Sequence, residues 1–167
     1  AIILKRSGGA SIVSSGEPAV VAALWSRRFA AIADVMGDTL QRTALSVNVR
    51  DRLDYSCTVL DASGRLVATA AHIPVHLGAL GACVRALLQA DAFAQGDEFV
   101  VNHPAFGGSH LPDVTLVTRV IDDAGTVCGF VASRAHHAEL GGSRPGSMPP
   151  RATTLIEEGV VLPPMPY

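Results

Sequence analysis

The sequence is poor in charge, in aromatic rings and in any cysteine pattern, and each scarcity removes a class of protein. Of its 167 residues, 17% are charged and 5% aromatic. Thirteen Lys and Arg stand against fifteen Asp and Glu, a net charge of -2. The basic residues form no cluster, so nucleic-acid binding has no electrostatic footing. The three cysteines, Cys57, Cys83 and Cys128, are odd in number and lack CxxC spacing, which argues against a disulfide framework or a zinc ribbon. Each sits among apolar neighbours, as buried free thiols do. No apolar run approaches the ~20 residues that span a bilayer. The opening residues Ala1 to Arg6 place their basic pair after a short apolar run, the reverse of a secretory signal. The expected compartment is therefore cytoplasmic. Neither GxGxxG nor GxxxxGK[ST] occurs, so no phosphate cradle is read here.

What the chain has instead is apolar surface. Hydrophobic residues make up 49% of it, and the mean hydropathy is +0.33. That excess, with no membrane span to absorb it, points to burial against a protein partner, and to poor solubility of the chain alone. The length fits one domain with a real core.

The pattern along the chain predicts an α+β fold: a long N-terminal amphipathic helix, antiparallel β-hairpins and a second helix. Residues 1–16 form a Ser- and Gly-rich lead-in, and 17–167 are read as the domain. Ser15 and Pro18 suit a helix start. Val20, Val21, Leu24, Trp25, Phe29, Ile32, Met36 and Leu40 then recur at helical spacing to about Ser46, with Trp25 and Phe29 assigned to the core. A first hairpin turns at Asp61-Ala62-Ser63-Gly64, and a second at Asp122-Asp123-Ala124-Gly125. Between them lie a loop from His72 to Gly78, a helix over about 79–90, a strand over 98–102 and a Gly-rich loop from Pro104 to His110. The second hairpin's strands run over 114–121 and 127–133. The Pro- and Gly-rich tail from Gly141 is expected to be mostly irregular.

Six histidines are present, and four of the chemistry-bearing residues converge on one end of the second hairpin. With Asp122 facing Gly125, His110 falls opposite His137 and Asp113 opposite Arg134, within one or two residues of register. Cross-strand neighbours lie ~5 Å apart at Cβ, near enough to share a cation. Two imidazoles and a carboxylate with open positions suit Zn, Mn or Fe(II). The candidate metal residues are His110, Asp113, His136 and His137. His136 and His137 point to opposite faces of an extended strand, so one of them is the ligand. The first hairpin brings Asp54 near His72, with His76 following on a loop. Asp54, His72 and His76 are candidate catalytic residues that line or support the same cleft.

These residues sit in stretches with a family likeness. Asp51-Arg52-Leu53-Asp54-Tyr55-Ser56-Cys57, Ala71-His72-Ile73-Pro74-Val75-His76-Leu77-Gly78, Asn102 to Asp113, and Ser133 to Gly142 occur in an order and spacing that resembles the B subunit of hydantoinases. The same likeness extends to the matching half of 5-oxoprolinase and to acetone carboxylase-type subunits, from about residue 18 onward. His103, Phe106 and Glu139 stand where such proteins usually have Asp, Tyr and Asp, which makes His103 an additional ligand candidate. The resemblance implies a hydrolase acting on cyclic amides within a larger B-type subunit. An A-type partner, carrying ATP and Mg, would phosphorylate the substrate, and the B-type subunit would supply a divalent metal. It equally admits a ketone carboxylase subunit, and a non-catalytic remnant that keeps only the fold and the partner surface.

Overall fold

The computed structural model describes residues 18–70, 73, 76–144, 146 and 148–167. His72 and the lead-in lie outside the described residues. The chain runs through α1 (Pro18–Thr43), α2 (Val47–Arg50), β1 (Tyr55–Asp61), β2 (Leu66–Thr69), α3 (Leu77–Gln89), β3 (Glu98–Val101), β4 (Asp113–Ile121), β5 (Val127–His136), α4 (Leu155–Glu158) and β6 (Met165–Pro166). The expected α+β class holds. Among the described residues, no helix is long and apolar enough to cross a membrane.

The strands form one antiparallel sheet in the order β2-β1-β5-β4-β3-β6. The two predicted hairpins lie side by side because β1 pairs with β5 along its whole length, from Tyr55 opposite Ala135 to Asp61 opposite Gly129. Alternation then sorts side chains to two faces. On one face α3 presents Leu80, Cys83, Val84 and Leu87, at helical spacing, to Leu60, Phe99, Val117, Phe130 and Ala132. Phe93 completes this core, edge-on to Phe99 at 5.3 Å between ring centres and tilted against Phe130 at 4.9 Å. Full burial of each such side chain contributes roughly 1.5–3 kcal/mol. On the other face α1 packs on Tyr55, Cys57, Ala70 and Ala135. Small residues at its contact points, Ala33 and Gly37, let the helix approach closely.

Several expectations are corrected here. α1 ends at Thr43 rather than near Ser46, and a separate turn of helix, α2, follows. Trp25 is not core: it is 49% exposed, tilted against Phe29 and under the Arg28 guanidinium. In the N-terminal half of α1, Val20 and Leu24 are exposed as well, so the apolar stripe there is largely uncovered. Cys57 and Cys83 are buried and burial pushes their thiols up, to about 12 and about 11, but Cys128 is exposed. Cys128 is the extra residue of a bulge: Val120 pairs with Gly129 and Ile121 with Val127. The tail is more ordered than its prolines imply. Thr154 and Glu157 form a capping box that starts α4, and Met165–Pro166 pair with β3. Asn102 ties this tail down: its amide donates to the carbonyls of Leu111 and Val160, both at 2.8 Å, and accepts from the Leu162 amide at 2.7 Å.

Candidate metal centre

The register of the second hairpin differs from the expected one by two residues, one because Asp122 pairs with Thr126 at the turn and one from the bulge. Asp113 lies opposite His136, and Thr115 opposite Arg134, instead of Asp113 opposite Arg134. β5 also continues to His136, three residues beyond its predicted end, because both β1 and β4 pair with it there. Its last turn is held by the His136 amide donating to the Asp54 carbonyl at 3.0 Å, and by the His137 amide donating to the Pro112 carbonyl at 2.8 Å. Asp113 and His136 therefore project on the α3 face, where the apolar core stops.

Asp113 is 1% exposed and stands at the centre of three imidazoles. Its Oδ1 is 3.1 Å from His136 Nδ1. Its Oδ2 is 3.3 Å from His110 Nδ1 and 3.3 Å from His76 Nε2. Burial alone would raise this carboxyl. The hydrogen bond from His76, the charges of His110 and His76 and the hydrogen bond from His136 outweigh it, and hold it below the ordinary carboxylate range. Asp113 is accordingly ionised at neutral pH.

Donor atoms of His110, Asp113 and His136 all lie within 4.8 Å of one another, the group among the described residues that fits a metal ion. His110 Nδ1 is buried yet has no hydrogen-bond partner, because its approach to Asp113 is off the bonding direction. A buried nitrogen left unpaired costs free energy unless something completes it. The donor set, two imidazoles and a carboxylate, matches first-row divalent cations. Residues and site fit.

The loop that delivers His110 is clamped from behind. Arg134, fully buried, donates Nε to Thr115 Oγ1 at 2.8 Å, one terminal nitrogen to Ser109 Oγ at 3.2 Å and the other to the Gly107 carbonyl at 2.9 Å. Burial lowers its pKa, against the raising influence of Cys83 and Asp113. Glycine is required in the loop: a Cβ on Gly107 would sit 2.7 Å from the Cys83 amide nitrogen, at φ +77°, and one on Gly108 would overlap the Asn102 carbonyl.

A cleft of about 330 Å³ opens on this cluster, lined by Asp54, His76, Ser109, His110, Asp113, His136 and Met148. Asp54, a candidate from the first hairpin, thus reaches the same cleft. It follows Leu53, whose φ of +57° is unusual for a non-glycine residue and turns the chain into β1. His137 goes elsewhere. It lines a larger cleft of about 440 Å³ on the α1 face, with Leu40, Leu45, Ser46, Val49 and Glu139 among its walls. Burial lowers its pKa, Glu139 and Asp113 raise it, and His136 lowers it further. Of the two adjacent histidines, His136 is the one in the cluster. His103 is outside it: its Nδ1 accepts from the Ala105 amide at 3.1 Å and caps a short turn at Pro104–Phe106. Ser56, Arg134 and Asn102 were not singled out from sequence. Polar residues at strand positions that alternation assigns to the core are the signal that would have found Ser56 and Arg134.

The chain is thus an α+β domain whose antiparallel sheet carries a His, Asp, His cluster at one end. Residues 19–167 match the Hydantoinase B/oxoprolinase family, and the chain belongs to that family. It is 50% identical over 141 residues to 5-oxoprolinase 1 of Arabidopsis thaliana, covering 83% of this chain and 11% of that protein. It is 45% identical over 145 residues to 5-oxoprolinase of Saccharomyces cerevisiae, covering 86% of this chain and 11% of that protein. The chain therefore spans about a tenth of the length of these relatives. In fold it is similar to an acetone carboxylase, with a TM-score of 0.78 at 21% identity over 87% of this chain and 20% of that one. It is also similar to the ATP-dependent caprolactamase of Pseudomonas jessenii, with a TM-score of 0.68 at 24% identity over 90% of this chain and 26% of that one.

Proposed function

We propose that this domain supplies the metal-holding face of an ATP-dependent cyclic-amide hydrolase of the hydantoinase/oxoprolinase type. The observation that carries the reading is the cluster of His110, Asp113 and His136 around a buried, unpartnered His110 nitrogen. Those three residues would hold a divalent cation, Zn, Mn or Fe. When bound, such a cation supplies Lewis acidity toward a carbonyl oxygen or a water. Asp54 faces the same cleft from the opposite hairpin and is the group placed to take a proton from an attacking water. The walls of the cleft hold a small ring against these groups and limit the water that reaches them.

Phosphorylation of the substrate is assigned to an A-type partner that binds ATP and Mg, and the rest of a B-type subunit is expected to cover the exposed stripe of α1. The 45–50% identity to 5-oxoprolinases favours hydrolysis over ketone carboxylation, since the likeness to acetone carboxylase is one of fold.

Elemental mass spectrometry of protein prepared without chelator, beside Asp113→Ala, tests the metal. Near-stoichiometric Zn, Mn or Fe that disappears in the variant supports it, whereas metal-free, folded and active protein refutes it. ATP consumption by the assembled enzyme with a cyclic amide supports the hydrolase. Consumption that needs a ketone and bicarbonate replaces it with the carboxylase.

A further inference from the structure

His76 touches the centre but is not one of the three residues whose donor atoms converge. It sits at the N-cap of α3, 2% exposed, where its backbone amide donates to the Ile73 carbonyl at 3.4 Å. Its Nε2 is 3.3 Å from Asp113 Oδ2, and its Nδ1 is 3.1 Å from Ser56 Oγ. Ser56 is itself 1% exposed, on β1, and its hydroxyl donates to the Ile73 carbonyl at 3.0 Å.

Hydrogen-bond direction orders these groups. An ionised carboxylate only accepts, so the Nε2 facing Asp113 carries hydrogen. The Ile73 carbonyl likewise only accepts, so the single Ser56 hydrogen goes to it, and His76 Nδ1 faces the Ser56 oxygen. From this geometry we infer that Ser56 and His76 are positioning residues for Asp113: His76 Nε2–H faces Asp113 Oδ2, and the Ser56 oxygen braces the other side of the ring at Nδ1. The inference rests on the metal reading above and deepens it. Ser56 fixes the orientation of the His76 ring, and His76 pins one carboxylate oxygen so that the other keeps a fixed direction beside His136. The three links come from three elements, β1, the start of α3 and β4, so the carboxylate is oriented by the meeting of both hairpins with the helix.

Two roles for His76 are separable by experiment. The protein, in its native assembly, is loaded with Mn(II). The histidine nitrogens coupled to the ion are counted by pulsed electron paramagnetic resonance, and the Mn(II) Kd is measured by titration. The expected result is two coordinated imidazoles in the wild type and still two in His76→Leu, with Kd raised about 10- to 100-fold in that variant. His76→Gln, which keeps an N–H donor at the position of Nε2, recovers most of that loss. Ser56→Ala, a smaller perturbation, raises Kd by up to roughly tenfold with the count unchanged. A count of three that falls to two in His76→Leu makes His76 a ligand and overturns the positioning role. An unchanged Kd in folded His76→Leu also overturns it, leaving a purely structural contact. Wild-type protein that binds no Mn(II), Zn(II) or Fe(II) sinks the metal reading and this inference together, a result distinct from either of the others.

Discussion

The two hairpins use the same turn and end in different chemistry. In each, an Asp folds its carboxylate back over the turn, and a glycine four positions into the turn takes φ near +75 to +80°. Asp61 accepts from the Ser63 amide and hydroxyl and from the Arg65 amide and side chain, with Gly64 at φ +74°. Asp122 accepts from the amides of Ala124 and Thr126, with Gly125 at φ +81°. Away from the turns the likeness stops. β2 is four residues long and lies at the sheet edge. β4 and β5 run nine and ten residues and sit inside the sheet, long enough to carry Asp113 and His136 past the apolar core. Turn chemistry sets where a hairpin begins; strand length and neighbours decide what its open end can do.

The sharpest way to break the comparison is at the open end. Asp113→Ala is expected to reduce metal occupancy to background, on the order of 100-fold or more in affinity, with an unchanged circular dichroism spectrum. Asp61→Ala, in the turn of the other hairpin, should leave occupancy at the wild-type level by the same elemental analysis. Next in size is Arg134→Met. It removes the donors to Thr115, Ser109 and the Gly107 carbonyl, and urea unfolding should show a loss of about 3 kcal/mol, with weakened metal binding because the His110 loop is released. The matched pair Gly64→Ala and Gly125→Ala comes third. Both force a side chain into positive φ at about 1 kcal/mol. Only Gly64 is also crowded, 3.1 Å from the Val84 and Arg85 side chains, while Gly125 opens on empty space. Thermal melts should therefore rank Gly64→Ala below Gly125→Ala.

The smallest effect concerns acid. Hydrogen bonds from the Ser63 side chain and from the Arg65 backbone and side chain hold Asp61 well below the ordinary carboxylate range. A group depressed on folding stabilises above its unfolded pKa of 3.8 and loses that contribution as pH falls through the folded value. Wild type and Asp61→Ala should thus converge in melting temperature only in strong acid. A gap that persists unchanged there would show that the Asp61 charge is not what ties the turn.

Much of this was legible in the residues and some was not, for identifiable reasons. The two long helices, α1 and α3, and both turns follow from periodicity and from Asp-x-x-Gly, which are local signals. Asp113 with one of two histidines followed from the turn. The choice of His136 over His137 did not, because it depends on a bulge at Cys128 that shifts the pairing. The pairing of β1 with β5 has no local signature at all, and it is this contact that extends β5 to His136 and brings Ser56 opposite Arg134. Trp25 was misassigned to the core because helical spacing shows which face is apolar, not how much of that face is covered.

The pairing of β1 with β5 has a consequence in time. Asp113 and His136 approach by closing a short hairpin, a local event whose entropic cost is small. Ser56 and His76 arrive from a strand and a helix start far earlier in the sequence, and β1 finds its neighbour only once the whole of β5 is available. During synthesis the carboxylate and its cross-strand imidazole would therefore meet before the hydroxyl and second imidazole that orient them. The nascent chain would offer a loose centre first and a rigid one only after β1 has docked.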